Sequence, residues 1–241
     1  MLFLVYTQWS QVLHSVIFAF LKYIKMKVAL IGASGFVGSA ILNELLQRGH
    51  QVAAIVRNPE KIKHAENVSA IKANVLNESE VEDAVKGQEA VISAYNAGWA
   101  NPNLYDEYLK GAQAIQAGVK KSGIKRFIVI GGAGSLYIAD GTQLLETPQF
   151  PEAFRAGASA ARDYLNILKN EKELDWTYLS PAIEMNQATS GMRKGTYRTG
   201  LDHPVFDANN RSIISVEDIA VAIADELENP KYIRQRFTVA Y

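Results

Sequence analysis

Three glycines, Gly32, Gly35 and Gly38, recur at three-residue intervals in the stretch VALIGASGFVGSAI, after an apolar run and ahead of a helical pattern. The chemistry open to such a turn belongs to the main chain. Gly32 lets a strand turn tightly, Gly35 removes a Cβ so that backbone N–H groups can reach a pyrophosphate, and Gly38 lets the next helix pack close to the strand. The N–H groups at the start of that helix, from Gly35 through Phe36 to Val37, present partial positive charge to an anion. Ser34 can add a hydroxyl donor. A tight turn that holds nothing is the bland reading of the same letters; the strand–turn–helix context points to a dinucleotide.

Nineteen residues after Gly38, where an Asp or Glu would bond a ribose 2′-hydroxyl, stands Arg57 in IVRNPEKIK. An arginine cannot accept hydroxyl hydrogens, whereas its guanidinium fork suits a 2′-phosphate. NADPH is therefore expected over NADH, with Lys61 about one turn further on as a helper. The alternative is that Arg57 is a solvated surface charge.

Composition narrows the remaining chemistry. The chain has 241 residues, 25 basic and 25 acidic, so no net field points to nucleic acid. It has no cysteine, which removes disulfides, thiolate catalysis and thiolate metal sites. The four histidines, His14, His50, His64 and His203, include no helical ligand pair, so no metal is expected.

The elements that must position these residues follow from hydrophobic periodicity. Strands are expected at KVALI, QVAAIV, VSAIKANV, EAVISA, KRFIVIG, DWTYLSP and RQRFTVAY. Helices are expected at FVGSAILNELLQRG, closed by Gly49, at NESEVEDAVKG, capped by Asn77 and ended by Gly87, and at NLYDEYLKGAQAIQAGVKKSG. Two more are placed over roughly 155–171 and from an N-cap at Ser215. Strands alternating with helices predict a doubly wound α/β fold with a Rossmann-type parallel sheet. A small irregular lobe over about 182–212 follows, with GMRKGTYRTG read as a loop and short hairpin. Residues 26–241 form a single domain in this reading.

Residues 1–25 differ in character. They carry no acidic residue and no charge before Lys22, and polar residues interrupt every apolar run. They lack the charge order of a secretory signal and the apolar length of a membrane span. The stretch is expected to lie outside the working fold, with membrane contact or an oligomer contact as the minor alternative.

GASGFVG, VRNPEK, ISAYN, FIVIGGAGSL, LDWTYLSPA and ISVEDIA occur in the order seen in atypical short-chain dehydrogenase/reductase proteins. Over residues 26–241 the chain resembles that superfamily, and within it the NAD(P)-binding proteins of the NADH-flavin-reductase-like and NAD-dependent-epimerase-like group. The resemblance implies a nicotinamide laid across the carboxyl ends of strands one, four and five. It sets Asn74 and Val75 beside the adenine, Ser93, Ala94 and Tyr95 along the ribose and nicotinamide, and Pro181 and Ala182 at the nicotinamide ring. Ser135 falls where the superfamily places a substrate-polarising serine, a role here that competes with plain turn-holding.

The resemblance also brings a departure. Members that handle alcohols use a Tyr-x-x-x-Lys pair, and the expectation is that no tyrosine of this chain has a lysine four residues later. The pair falls on Arg155 and Ser159 in EAFRAGASAARDYL, neither of which reproduces that acid chemistry. Reduction of a flavin or quinone asks less of the protein, since the acceptor ring delocalises charge and water can supply the proton. The expectation is a cytoplasmic NAD(P)H-dependent oxidoreductase acting on a flavin, quinone or similar conjugated acceptor. Tyr95, Trp99 and Tyr137 are the candidates to stack on that acceptor. A non-catalytic NAD(P)-binding redox sensor is the alternative reading, and a sugar epimerase or dehydratase a less favoured one. The oligomeric state stays open.

Overall fold

The computed structural model describes residues 25–241, so the prediction for the extension, Lys25 apart, lies outside the described residues. Ten strands and five α-helices follow in chain order: β1 (Lys27–Ile31), α1 (Phe36–Gln47), β2 (Gln51–Val56), β3 (Val68–Lys72), α2 (Glu78–Val85), β4 (Ala90–Ser93), α3 (Leu104–Ser122), β5 (Arg126–Ile130), β6 (Tyr137–Ala139), β7 (Thr142–Gln143), α4 (Glu152–Leu168), β8 (Asp175–Ser180), β9 (Arg198–Gly200), α5 (Val216–Glu228) and β10 (Gln235–Ala240).

Eight of the strands form one sheet in the order β3-β2-β1-β4-β5-β8-β10-β9. All neighbours run parallel except the edge pair β10–β9. The central strands are apolar over most of their length because both faces are covered. Val28 and Leu30 pack with Ile41, Leu45, Ile219 and Ile223 of α1 and α5 on one face. Ala29 and Ile31 pack with residues of α2, α3 and α4 on the other. The doubly wound Rossmann-type architecture expected from the periodicity is present.

The caps read from the sequence hold. The Asn77 side chain accepts from Ser79 N and the Ser215 side chain from Asp218 N. Gly49 and Gly87, at φ +81° and +78°, turn the chain after α1 and α2 as glycine alone does readily. The helix expected over roughly 155–171 runs three residues earlier, from Glu152 to Leu168.

Two corrections concern the irregular regions. The hairpin expected within residues 191–200 is instead a loop followed by β9, whose Thr199 pairs with Val239 of β10. The reason is that the loop is tied to the helices: Asp218, fully buried, takes the N–H groups of Lys194 and Gly195 at 3.0 and 2.8 Å. Arg193 meanwhile forks onto Glu44 of α1. Conversely, β6 and β7 form a hairpin that the strand reading passed over, turning at Asp140 and Gly141, the latter at φ +73°.

Candidate active site at the carboxyl edge of the sheet

Because the sheet is parallel, the residues after β1, β2, β3, β4, β5 and β8 all emerge along one edge. The strand order reverses at β1, between β2 and β4, and open α/β sheets take ligands in the crevice outside such a reversal. The glycine turn lies at it. Gly32 adopts φ +80°, and a Cβ on it would stand 2.7 Å from Ala94 O. A Cβ on Gly38 would stand 2.0 Å from Gly32 O, so helix and strand approach at a distance only glycine permits.

Gly35 caps α1 without any side-chain hydrogen bond, and the first turn holds no acidic residue. Gly35 N donates to Gly32 O and Ser39 N to Gly35 O, which leaves the N–H groups of Phe36, Val37 and Gly38 without a partner among the described residues. Ser34 is exposed beside them. These residues fit a dinucleotide pyrophosphate: an open, uncompensated helix start with nothing of the protein occupying it.

Arg57 follows β2 directly. It is exposed and makes no ion pair or hydrogen bond among the described residues, and it lies close enough to bear on the Tyr95 phenol. Lys61 is exposed in the single turn Pro59–Lys61. After β3, Asn74 folds into a turn, accepting from Leu76 N at 3.1 Å, while Val75 is half-buried against the second core. Ser93 is buried at the end of β4, and Ala94 touches the glycine turn. Pro181 and Ala182 are buried immediately after β8.

Three side chains expected at the acceptor are engaged by the protein itself. Tyr95 turns toward α3: its hydroxyl donates to Glu107 O at 3.0 Å and its ring stacks on Tyr108, over Gly111, where a Cβ would come within 2.5 Å. Burial and the nearby Glu107 carboxylate push its phenol up to about 12, with Arg57 pulling the other way. Tyr95 thus sits on the Arg57 side of the crevice with its ring engaged by the helix.

Ser135 is only 2% exposed. Its hydroxyl accepts from Arg236 Nη1 at 3.2 Å, and its carbonyl accepts from the same nitrogen at 2.7 Å and from Gln143 Nε2 at 3.2 Å. That is the turn-holding arrangement, with a buried arginine of β10 clamping the loop after β5. Tyr137, two residues on, lies between the Arg236 guanidinium and His203, whose Nδ1–H donates to Tyr137 O at 2.7 Å. Nothing local in the sequence marks Arg236, a strand residue whose partner lies 101 positions away.

Trp99, in the loop after β4, is 59% exposed and meets Phe154 of α4 edge-on at 5.3 Å and 81°. Arg155 is bound into the loop before α4, donating to Leu145 O and Phe150 O. The α4 residues that face the β5 loop are Ala158, against Gly134, and Ala161, against Gly132, with Phe154 one turn before. One Tyr-x-x-x-Lys spacing does exist in the chain, Tyr23 and Lys27, but Lys27 opens β1 at the opposite edge of the sheet.

Comparisons with known proteins give the family. A family described as NAD(P)H-binding matches residues 32–230, from the first glycine of the turn to the end of the last helix. The chain belongs to that family. It is 38% identical over 216 residues to the uncharacterized protein YwnB of Bacillus subtilis, covering 89% of this chain and 98% of that one. Among solved structures, a provisionally named epimerase from Bacteroides thetaiotaomicron is 49% identical with a TM-score of 0.82, over 90% of this chain and 97% of that one. A protein of Streptococcus pneumoniae, provisionally named an NADH-flavin reductase, is 35% identical with a TM-score of 0.77, over 89% and 99%. The family is one of nicotinamide-dinucleotide binders with short-chain-dehydrogenase-like relatives.

Proposed function

We propose that this NAD(P)H-binding protein is a cytoplasmic oxidoreductase that passes a hydride from NADPH to a flavin, quinone or similar conjugated acceptor. The observation that carries the reading is the open start of α1, where Gly32 and Gly38 bring three unpartnered N–H groups into the crevice beside β4. Phe36, Val37 and Gly38 would hold the pyrophosphate, Arg57 the 2′-phosphate, and Pro181 and Ala182 would border the nicotinamide ring. Bound there, the reduced nicotinamide supplies one hydride, hence two electrons, and is oxidised as the acceptor is reduced.

The chain's own residues then orient and exclude water. The α4 face beside the β5 loop is apolar, with Phe154, Ala158 and Ala161 in place of an acid, so the acceptor's proton comes from solvent. This favours acceptors whose reduced form is stabilised by conjugation and disfavours simple alcohols and sugars. The same apolar face suits a protein that binds NADPH and reports on it without turnover.

Mixing the protein with NADPH and a panel of flavins and quinones, and following nicotinamide absorbance, separates the two. Acceptor-dependent oxidation is the expected result. Tight NADPH binding with no oxidation by any acceptor would favour the sensor.

A further inference from the structure

The loop after β4 and the first turns of α4 meet in an arrangement that plain surface packing does not require. Trp99 crosses from its loop to lie on the α4 backbone at Gly157: a Cβ there would stand 2.8 Å from Trp99 Cζ3 and 3.2 Å from Leu104 Cδ2. The indole therefore rests on the helix itself. Phe154, one turn earlier, meets it at 81° with ring centres 5.3 Å apart. Both rings stay open, at 59% and 50% exposure, although large aromatic side chains in contact usually finish buried. Two aromatic planes at nearly a right angle make a corner. A flat ring can lie face-on against one wall and edge-on to the other, the two geometries that aromatic quadrupoles favour.

The corner joins the loop after β4 to the helix that packs on the loop after β5, both loops at the carboxyl edge of the sheet. Three residues along α4 from Phe154 the helix has Gly157, and the next residue, Ala158, touches the loop after β5 at Gly134. We infer that Trp99 and Phe154 form the acceptor seat, that Gly157 positions it by admitting the indole onto the helix, and that its occupant is a conjugated multi-ring acceptor of the isoalloxazine or naphthoquinone type. This rests on the proposed oxidoreductase reading but is tested apart from it. The seat stands in for the missing acid: the acceptor is held by its π-face rather than through a hydrogen bond to the oxygen being reduced, so a single-ring or aliphatic carbonyl gains little from it.

Two measurements test the seat. Free FMN is titrated into the full chain saturated with NADP+, and stacking is read from the loss of flavin fluorescence; menadione turnover with NADPH is measured in parallel. Trp99→Ala and Phe154→Ala are each expected to weaken FMN binding and raise the menadione KM by about tenfold, with the NADPH Kd unchanged. Trp99→Phe should recover most of the loss. Gly157→Ala should act like Trp99→Ala, since its Cβ would push the indole off the helix, with circular dichroism confirming the native fold. Loss of the site without loss of the fold is what a merely structural glycine would not show. FMN quenching that Trp99→Ala abolishes, with no turnover of any acceptor, would keep the seat and defeat the reductase reading. FMN and menadione affinities unchanged in Trp99→Ala and Phe154→Ala, or no FMN binding by the native chain, would overturn the seat.

Discussion

Arg57 carries the coenzyme preference at the level of single residues. Its guanidinium is exposed at the end of β2 and has no competing carboxylate among the described residues, so a 2′-phosphate would be its partner. Charge-assisted hydrogen bonds contribute roughly 1.5–3 kcal/mol. Arg57→Ala should therefore weaken NADPH binding by about ten- to a hundredfold and NADH binding much less, as read by titration of each coenzyme. Equal losses would mean that Arg57 meets no 2′-phosphate. The glycine turn was legible from spacing because its requirement is steric and local: Gly38 has its Cβ position 2.0 Å from a carbonyl six residues back. Ser135 and Tyr95 were not, because what each side chain bonds is set by Arg236 on β10 and by Gly111 on α3, partners that sequence spacing does not reveal.

Among the elements, one carboxylate ties the end of α4 and the turn into β8 to α3, at the far end of α4 from the proposed seat. Burial alone pushes the Glu171 carboxyl up. Hydrogen bonds from Glu173 N–H and Gln116, together with the Lys120 ammonium, outweigh that and hold it down from its ordinary 4.5 to about 2. The Trp176 indole also donates to Glu171 O at 3.2 Å. A carboxylate held low in the folded state adds stability that is fully present above pH 4.5 and lost as pH falls from there to about 2. Glu171→Gln should lower stability at neutral pH and flatten its decline between pH 4.5 and 2, measured by urea unfolding across that range. Parallel curves for the two proteins would contradict it. Regular elements were legible because their periodicity is intrinsic. The register of β9 and the β6–β7 hairpin were not read, since the first depends on an edge of β10 made only when the sheet is complete.

At the scale of the whole molecule, alternation of strand and helix dictates a parallel sheet, and a parallel sheet sends its functional loops to one edge. That much of the site follows from the sequence: the turn after β1, Arg57 after β2 and the residues after β4 and β8 share that edge. The acceptor side follows less well, since it is built where the β4 loop crosses onto α4. Among the described residues β1 begins at Lys27, and Met26 N donates to the buried His50. A chain begun at Met26 should melt as the full chain does and bind NADPH equally, by circular dichroism and titration. Failure to fold would make residues 1–25 part of the structure. The most direct measurement is calorimetric titration of the full-length protein with NADPH. One coenzyme bound per chain, more tightly than NADH, is the expected result, and no uptake of either coenzyme would contradict the account.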